Sequence, residues 1–193
     1  MSLFEPLASK IRPLRLTDFI GQEHLVGPDK PLNLAIKAKS LFSMILYGPP
    51  GVGKTTLAKI YSRAVGLDLF ELSAVSAGKD QVRQVVKAAQ KNSRPAILFL
   101  DEIHRFNKAQ QDYLLPFVET GTLYLIGATT ENPSFTVISP LLSRCRVYVL
   151  HQLSEKELSK IISRAVKNLS PSPVPLNRKA SDWLIAMANG DAR

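Results

Sequence analysis

The sequence predicts an α/β fold, a mostly parallel sheet with helices on both faces. Three observations carry this. Five short apolar stretches recur along the first 150 residues, helical patterns lie between them, and several stretches are apolar at successive positions. A strand apolar at every position has no solvent side, as required when helices cover both faces of a sheet.

The elements follow in order. An opening segment, Leu3 to Lys39, is rich in turn formers and reads as loops with short helices. The strand candidates are Phe42–Tyr47, Leu67–Leu72, Ala96–Leu100, Leu123–Ala128 and Arg146–Leu150. A helix over Thr55–Ala64 follows the first. Val82, Val85, Val86 and Ala89 recur at i, i+3, i+4 and i+7, one face of a helix after the second. Pro116 lies inside a helical stretch, Lys108–Glu119, and is expected to kink or stop it. After Leu150 the pattern becomes all-helical. Ser154 and Glu157 form a capping box, and Leu158, Ile161, Ile162, Ala165 and Val166 make an apolar stripe. "SPSPVP" (Ser170–Pro175) breaks that helix, and Asn177 caps another that carries Trp183, expected in the core. The boundaries are therefore 1–150 for an α/β core, of which 1–40 is the opening segment, and 151–193 for part of a helical domain.

Bulk properties narrow the function. The chain has 193 residues, 45% of them apolar, which suits one sizeable domain and part of a second. No apolar run approaches the roughly 18 residues of a membrane span, and no signal peptide is evident, so a soluble intracellular protein is expected. One cysteine cannot form an internal disulfide. The formal charge of +9 comes from scattered Lys and Arg. It fits a solvated basic surface and also attraction to phosphate, nucleotide or nucleic acid.

Two motifs carry chemistry. "GPPGVGKTT" (Gly48–Thr56: Gly48, Pro49, Pro50, Gly51, Val52, Gly53, Lys54, Thr55, Thr56) follows a strand and opens a helix, the pattern of a phosphate-binding loop. Glycines let backbone N–H groups turn inward around phosphates, and the helix N-terminus adds a positive dipole end. Lys54 supplies charge near the β- and γ-phosphates of ATP, and the Thr55 hydroxyl is placed to ligate Mg²⁺. "AILFLDEIH" (Ala96–His104) is a buried strand delivering Asp101 and Glu102 at its C-terminal end. Asp101 would hold the hydrated Mg²⁺, and Glu102 would activate the attacking water. His104 reads as a loop histidine near the site, since three scattered histidines and one cysteine give no metal-ligand spacing. "LIGATTENP" (Leu125–Pro133) ends a strand in polar groups. Thr130, with Asn132 second and Thr129 a further candidate, would help orient the water, unless the run is only a strand-to-loop turn.

With these motifs in place the chain resembles AAA+ ATPases. More narrowly it resembles the replication-associated recombination protein A family, the bacterial relatives of the Werner-helicase-interacting ATPase. The stretches that carry the resemblance are "RPLRLTDFIGQEHLVG" (Arg12–Gly27), "DEIHRFNKAQQD" (Asp101–Asp112) and "GATTENPSF" (Gly127–Phe135). It implies a P-loop core with a five-stranded parallel sheet and a helical lid, a Mg²⁺-dependent ATP hydrolase, and an adenine pocket lined by Pro13, Ile20 and Gly21. Asp191 reads as an N-cap, with Arg193 facing the γ-phosphate. "PLLSRC" (Pro140–Cys145) matches an arginine-finger position, so Arg144 would serve a neighbouring subunit's ATP, or else form a surface salt bridge. Cys145 then only packs the turn. The family further implies cytoplasmic, nucleoid-associated work on DNA forks, ends and single-stranded gaps, with single-strand DNA-binding protein and a homotetramer as partners and no membrane. The chain reads as an N-terminal fragment, weakly active in isolation. A clamp-loader-like subunit and an ATP-binding scaffold without turnover are the alternatives, and the presence of Lys54 and Glu102 argues against the scaffold.

Overall fold

A computed structural model describes residues 6–169 and 176–192. The opening segment runs through three short helices, α1 (Leu7–Lys10), α2 (Glu23–Val26) and α3 (Pro31–Lys37), into strand β1 (Ser43–Tyr47). Then come α4 (Lys54–Val65), β2 (Leu69–Ser73), α5 (Lys79–Lys91), β3 (Ala96–Asp101), α6 (Lys108–Asp112), α7 (Leu115–Glu119) and β4 (Leu123–Thr129). Helices α8 (Pro133–Thr136) and α9 (Ser139–Leu142) lead to β5 (Cys145–Val149), and α10 (Glu155–Leu169) and α11 (Arg178–Ala188) complete the chain. The five strands form one sheet in the order β2-β3-β4-β1-β5, with every pair parallel. The predicted five-stranded parallel α/β fold is present.

The alternation of side chains explains the apolar runs. On one face Ile45, Leu98, Leu100, Leu123 and Leu125 meet Val82, Val85, Val86 and Ala89 of α5. On the other, Met44, Leu46, Ile97, Phe99, Ile126 and Ala128 meet Leu57, Ala58 and Tyr61 of α4. Both faces of β1, β3 and β4 are therefore dry, and each fully buried Leu or Ile contributes about 1.5–3 kcal/mol. Gly127 permits the tightest layer, because a Cβ there would lie 2.7 Å from Ile45 Cδ1 and 2.9 Å from Ile103 Cδ1.

Two local expectations change. The helical stretch does break, but four residues before Pro116: α6 ends at Asp112, and Pro116 occupies the first turn of α7. In a first turn its missing N–H forfeits no helical bond, so proline starts the second helix. Trp183 is not core. It is 62% exposed, and α11 instead turns Ile185 and Ala188 toward Leu153, Leu158, Ile161 and Ile162. Two residues on from Trp183 is about 200° around a helix, so one buried face cannot hold both Trp183 and Ile185. The capping residues do act as read: Asn177 Oδ1 accepts from Ala180 N at 2.8 Å, and Glu157 Oε2 accepts from Ser154 N at 2.7 Å.

Cys145 opens β5 and packs half-buried against the α5-side core, where burial pushes its thiol from 9.0 up to about 12. The folded chain should resist iodoacetamide at pH 8 while the denatured chain reacts. Above pH 9.0 the unfolded thiol loses its proton first, so stability falls as pH rises toward 12. Urea titrations should show Cys145→Ala losing less stability than the parent over that range.

Candidate functional site

The phosphate loop grows out of β1. Gly48 N donates to Thr129 O at 3.1 Å, extending the β1–β4 ladder one step beyond Tyr47. The chain then turns through Gly51 (φ 69°) and Gly53 (φ 102°), backbone that L side chains rarely adopt. Space is as restrictive as conformation. A Cβ at Gly53 would lie 2.6 Å from Phe19 Cζ, and one at Gly51 would strike the Asp191 carboxylate. Lys54, only 7% exposed, opens α4 and donates to Gly48 O at 2.6 Å and Pro49 O at 2.7 Å. The loop thus holds its cation at the N-terminus of a 12-residue helix, where the first N–H groups have no intrahelical acceptor.

A cleft opens beside this loop. Gly51, Val52, Gly53, Lys54, Thr55 and Thr56 line one wall with Asp101, and Ile11, Arg12, Pro13, Phe19 and Ile20 of the opening segment line another. Leu153, Ile161, Arg164 and Ala192 close it from the helical side. Pro13 and Ile20, expected at the adenine, both line this cleft. Gly21 does not line it; a Cβ there would lie 2.7 Å from Leu153 Cδ2 and 3.0 Å from Glu157 Oε1. Sequence reasoning missed Arg12 and Arg164. Arg164 lies three residues after Ile161 on the flank of the apolar stripe, and that offset was the only available signal. Arg193 lies outside the described residues. Its neighbour Ala192 reaches the phosphate loop, donating its N–H to Gly51 O at 3.2 Å.

The two acids stand at the end of β3. Asp101 Oδ1 accepts from Glu102 N at 3.1 Å. Glu102 adopts a left-handed conformation (φ 55°, ψ 45°) that costs about 1–2 kcal/mol in a non-glycine residue and starts a short 3₁₀ turn, Ile103–Arg105. That turn brings His104 Nε2 to 3.1 Å from Glu102 Oε2, while its Nδ1 lies 2.9 Å from Thr129 Oγ1. Among the polar residues that end β4, Thr129 is fully buried. Thr130 is exposed at the strand end, and Asn132 Oδ1 caps α8 by accepting from Ser134 N at 3.0 Å.

Arg144 is elsewhere. It precedes β5, whose first residue pairs with Ser43 at the start of β1, so it sits at the sheet edge opposite the phosphate loop. The length of β1, about 16 Å for five residues, separates the two ends. Its Nη2 meets Glu119 Oε1 at 2.6 Å, and its Nη1 donates to Pro140 O at 2.6 Å, with the side chain 40% exposed.

The donor set suits a nucleotide with Mg²⁺. Thr55 and Asp101 line the same cleft as Lys54, and magnesium is ordinarily held by one or two carboxylates together with phosphate oxygens rather than by a protein cage. Among the described residues there is no cluster of three or more His, Cys, Asp or Glu side chains able to hold a metal. Nor is any described helix long and apolar enough to cross a membrane.

Comparison with known proteins agrees. Residues 44–153 match the model of the ATPase family associated with various cellular activities (AAA). Replication-associated recombination protein A of Coxiella burnetii is 50% identical over 98% of this chain, which spans 44% of that protein. The Escherichia coli K12 protein of the same name is 45% identical over 98% of the chain, again 44% of its own length. ATPase WRNIP1 of Dictyostelium discoideum is 43% identical over 98% of the chain and 22% of its own. The chain thus spans less than half the length of these relatives. Among solved structures, the RuvB Holliday junction branch migration motor of Thermotoga maritima superposes with a TM-score of 0.76 at 33% identity, covering 95% of this chain and 62% of that one. With a family model matching more than half its residues across the phosphate loop, both acids and the polar strand end, the chain belongs to the AAA ATPase family.

Proposed function

We propose that this chain is the ATP-hydrolysing part of a DNA-maintenance protein that couples Mg²⁺-dependent ATP turnover to conformational change at replication and recombination intermediates. The observation that carries the reading is the convergence of Lys54, Thr55 and Asp101 on one cleft, with the Glu102 carboxylate on the adjoining residue. Residues 1–150 form the nucleotide-binding core and residues 151–193 belong to a lid. The relatives' names point to forks and recombination intermediates as the DNA, with the formal charge of +9 favouring contact with phosphate backbones. Cytoplasmic, nucleoid-associated action on ends and single-stranded gaps, alongside single-strand DNA-binding protein and in a homotetramer, completes the proposal.

The mechanism follows from the chain's own groups. Gly48 to Thr56 wrap the phosphates, with Gly51 and Gly53 permitting the close approach and Lys54 neutralising the β- and γ-oxygens. Pro13 and Ile20 receive the base, and Gly21 keeps the wall thin enough for the lid to close over it. When bound to Thr55 and Asp101, Mg²⁺ would withdraw charge from the phosphates. Glu102 takes the proton of the attacking water, which Thr130 or Asn132 orients. Arg193 supports the phosphate from the lid. Arg144 faces away from its own loop, so it completes the site of an adjacent subunit as an arginine finger.

Phosphate release with and without DNA tests the whole reading. Lys54→Ala should weaken ATP binding by about 10–150-fold in calorimetry, the worth of a charged hydrogen bond of about 1.5–3 kcal/mol. Near-parent affinity would remove the phosphate-loop assignment. Glu102→Gln should bind ATP normally and hydrolyse it about 100-fold more slowly or worse. For Arg144, oligomers of Arg144→Ala or Lys54→Ala alone should be nearly inactive, since such fingers contribute about 10³–10⁵ in rate. Mixing the two should restore part of the activity. No rescue in mixed oligomers verified by mass spectrometry would place Arg144 outside catalysis.

A further inference from the structure

We infer that His104 is a positioning residue that fixes the Glu102 carboxylate and ties it, through Thr129, to the phosphate loop. The inference rests on the reading of Glu102 as the group that activates water. Four contacts form the chain: Gly48 N to Thr129 O at 3.1 Å, Thr129 Oγ1 to His104 Nδ1 at 2.9 Å, His104 Nε2 to Glu102 Oε2 at 3.1 Å, and Glu102 N to Asp101 Oδ1 at 3.1 Å. It joins the ends of β1, β3 and β4, which frame the cleft.

Proton accounting makes the His104 link directional. A carboxylate only accepts, so Nε2 must carry hydrogen. In the neutral ring Nδ1 then accepts from the Thr129 hydroxyl. In the charged ring Nδ1 donates, and the hydroxyl turns to Glu131 O at 3.2 Å. Thr129 Oγ1 accepts from Glu131 N at 3.0 Å in both cases. The Nε2–H to Glu102 bond survives either state. The Glu131 carboxylate, 3.6 Å from Nε2, lies beyond hydrogen-bond distance, which leaves Glu102 as the closer carboxylate. The His104 side chain is 5% exposed against 34% for Glu102, so the imidazole is the fixed partner and the carboxylate the one being held. The left-handed turn at Glu102 is the local strain that makes this contact reachable.

A merely structural histidine and a positioning one separate by paired substitution. The amide nitrogen of Gln reaches the place of Nε2, whereas Asn reaches only that of Nδ1. His104→Asn should lower kcat by about tenfold to a hundredfold, the usual consequence of misplacing a reacting group by roughly 1 Å. His104→Gln should keep most of kcat, and both variants should remain folded and keep the parent's ATP affinity. Long-range ¹H–¹⁵N spectra of the parent should show Nε2 protonated. Equal kcat in the two variants, a rise in either, or an unprotonated Nε2 overturns the inference. Glu102→Gln is run alongside: if it hydrolyses ATP at the parent rate, the Glu102 reading has failed, whereas an inactive Glu102→Gln with unaffected His104 variants sinks the His104 role alone.

Discussion

β1, β3 and β4 have no solvent face. Helix α4 covers one side and α5 the other, and Ile45, Leu46, Ile97, Leu98, Leu125 and Ile126 are wholly buried. A polar side chain in the middle of such a strand would need a partner in a layer that offers none, at a cost of about 1–3 kcal/mol. Polar chemistry can leave the sheet only where strands end. In a parallel sheet all the C-terminal ends lie along one edge, so Gly48, Asp101 and Thr129 are neighbours by topology before any side chain is considered. Everything on the cleft's inner wall inherits its position from that packing.

This is also why the sheet and most of the site could be read from the residues. Each strand end coincides with a change from apolar to polar sequence, and the glycines of the phosphate loop stand where backbone has to adopt positive φ. What escaped reading depended on contacts between distant segments. Arg12 and Arg164 reach the cleft because α1 and α10 pack beside one another, a pairing that neither helix's own pattern encodes. His104 reads as a loop histidine near the site, where it lies, but its partners are not legible because Glu102, just past β3, and Thr129, on β4, meet it only in the fold. Trp183 misled for the opposite reason. Aromatic burial is a tendency of residue type, and here the small partner surface of α10 selects Ile185 and Ala188 instead.

The opposite edge of the sheet does different work. Where β5 begins, Arg144 pairs with Glu119 at the end of α7, and neither side chain is more than half exposed. An exposed pair of this kind is worth about 0–1 kcal/mol, little enough that a stronger acceptor could draw the guanidinium away. The arginine is therefore cheap to redirect, which the proposed role in an adjacent subunit's site would require.

The lid end adds a constraint from the other direction. Asn189 and Gly190 are both left-handed, and Gln152 Nε2 donates to Asn189 O at 2.6 Å, so the chain leaving α11 turns sharply back toward the core. It arrives with Ala192 N on Gly51 O and the Asp191 carboxylate against the Gly51 Cα. Gly51 is thus held twice over, by its own φ and by the Asp191–Ala192 contact. Because α11 shares its apolar face with α10, and α10 carries Arg164 into the cleft, the same packed side chains connect that contact to a second cation. The loop and the two C-terminal helices are therefore joined by direct contacts. They meet at a glycine too confined to move without its neighbours.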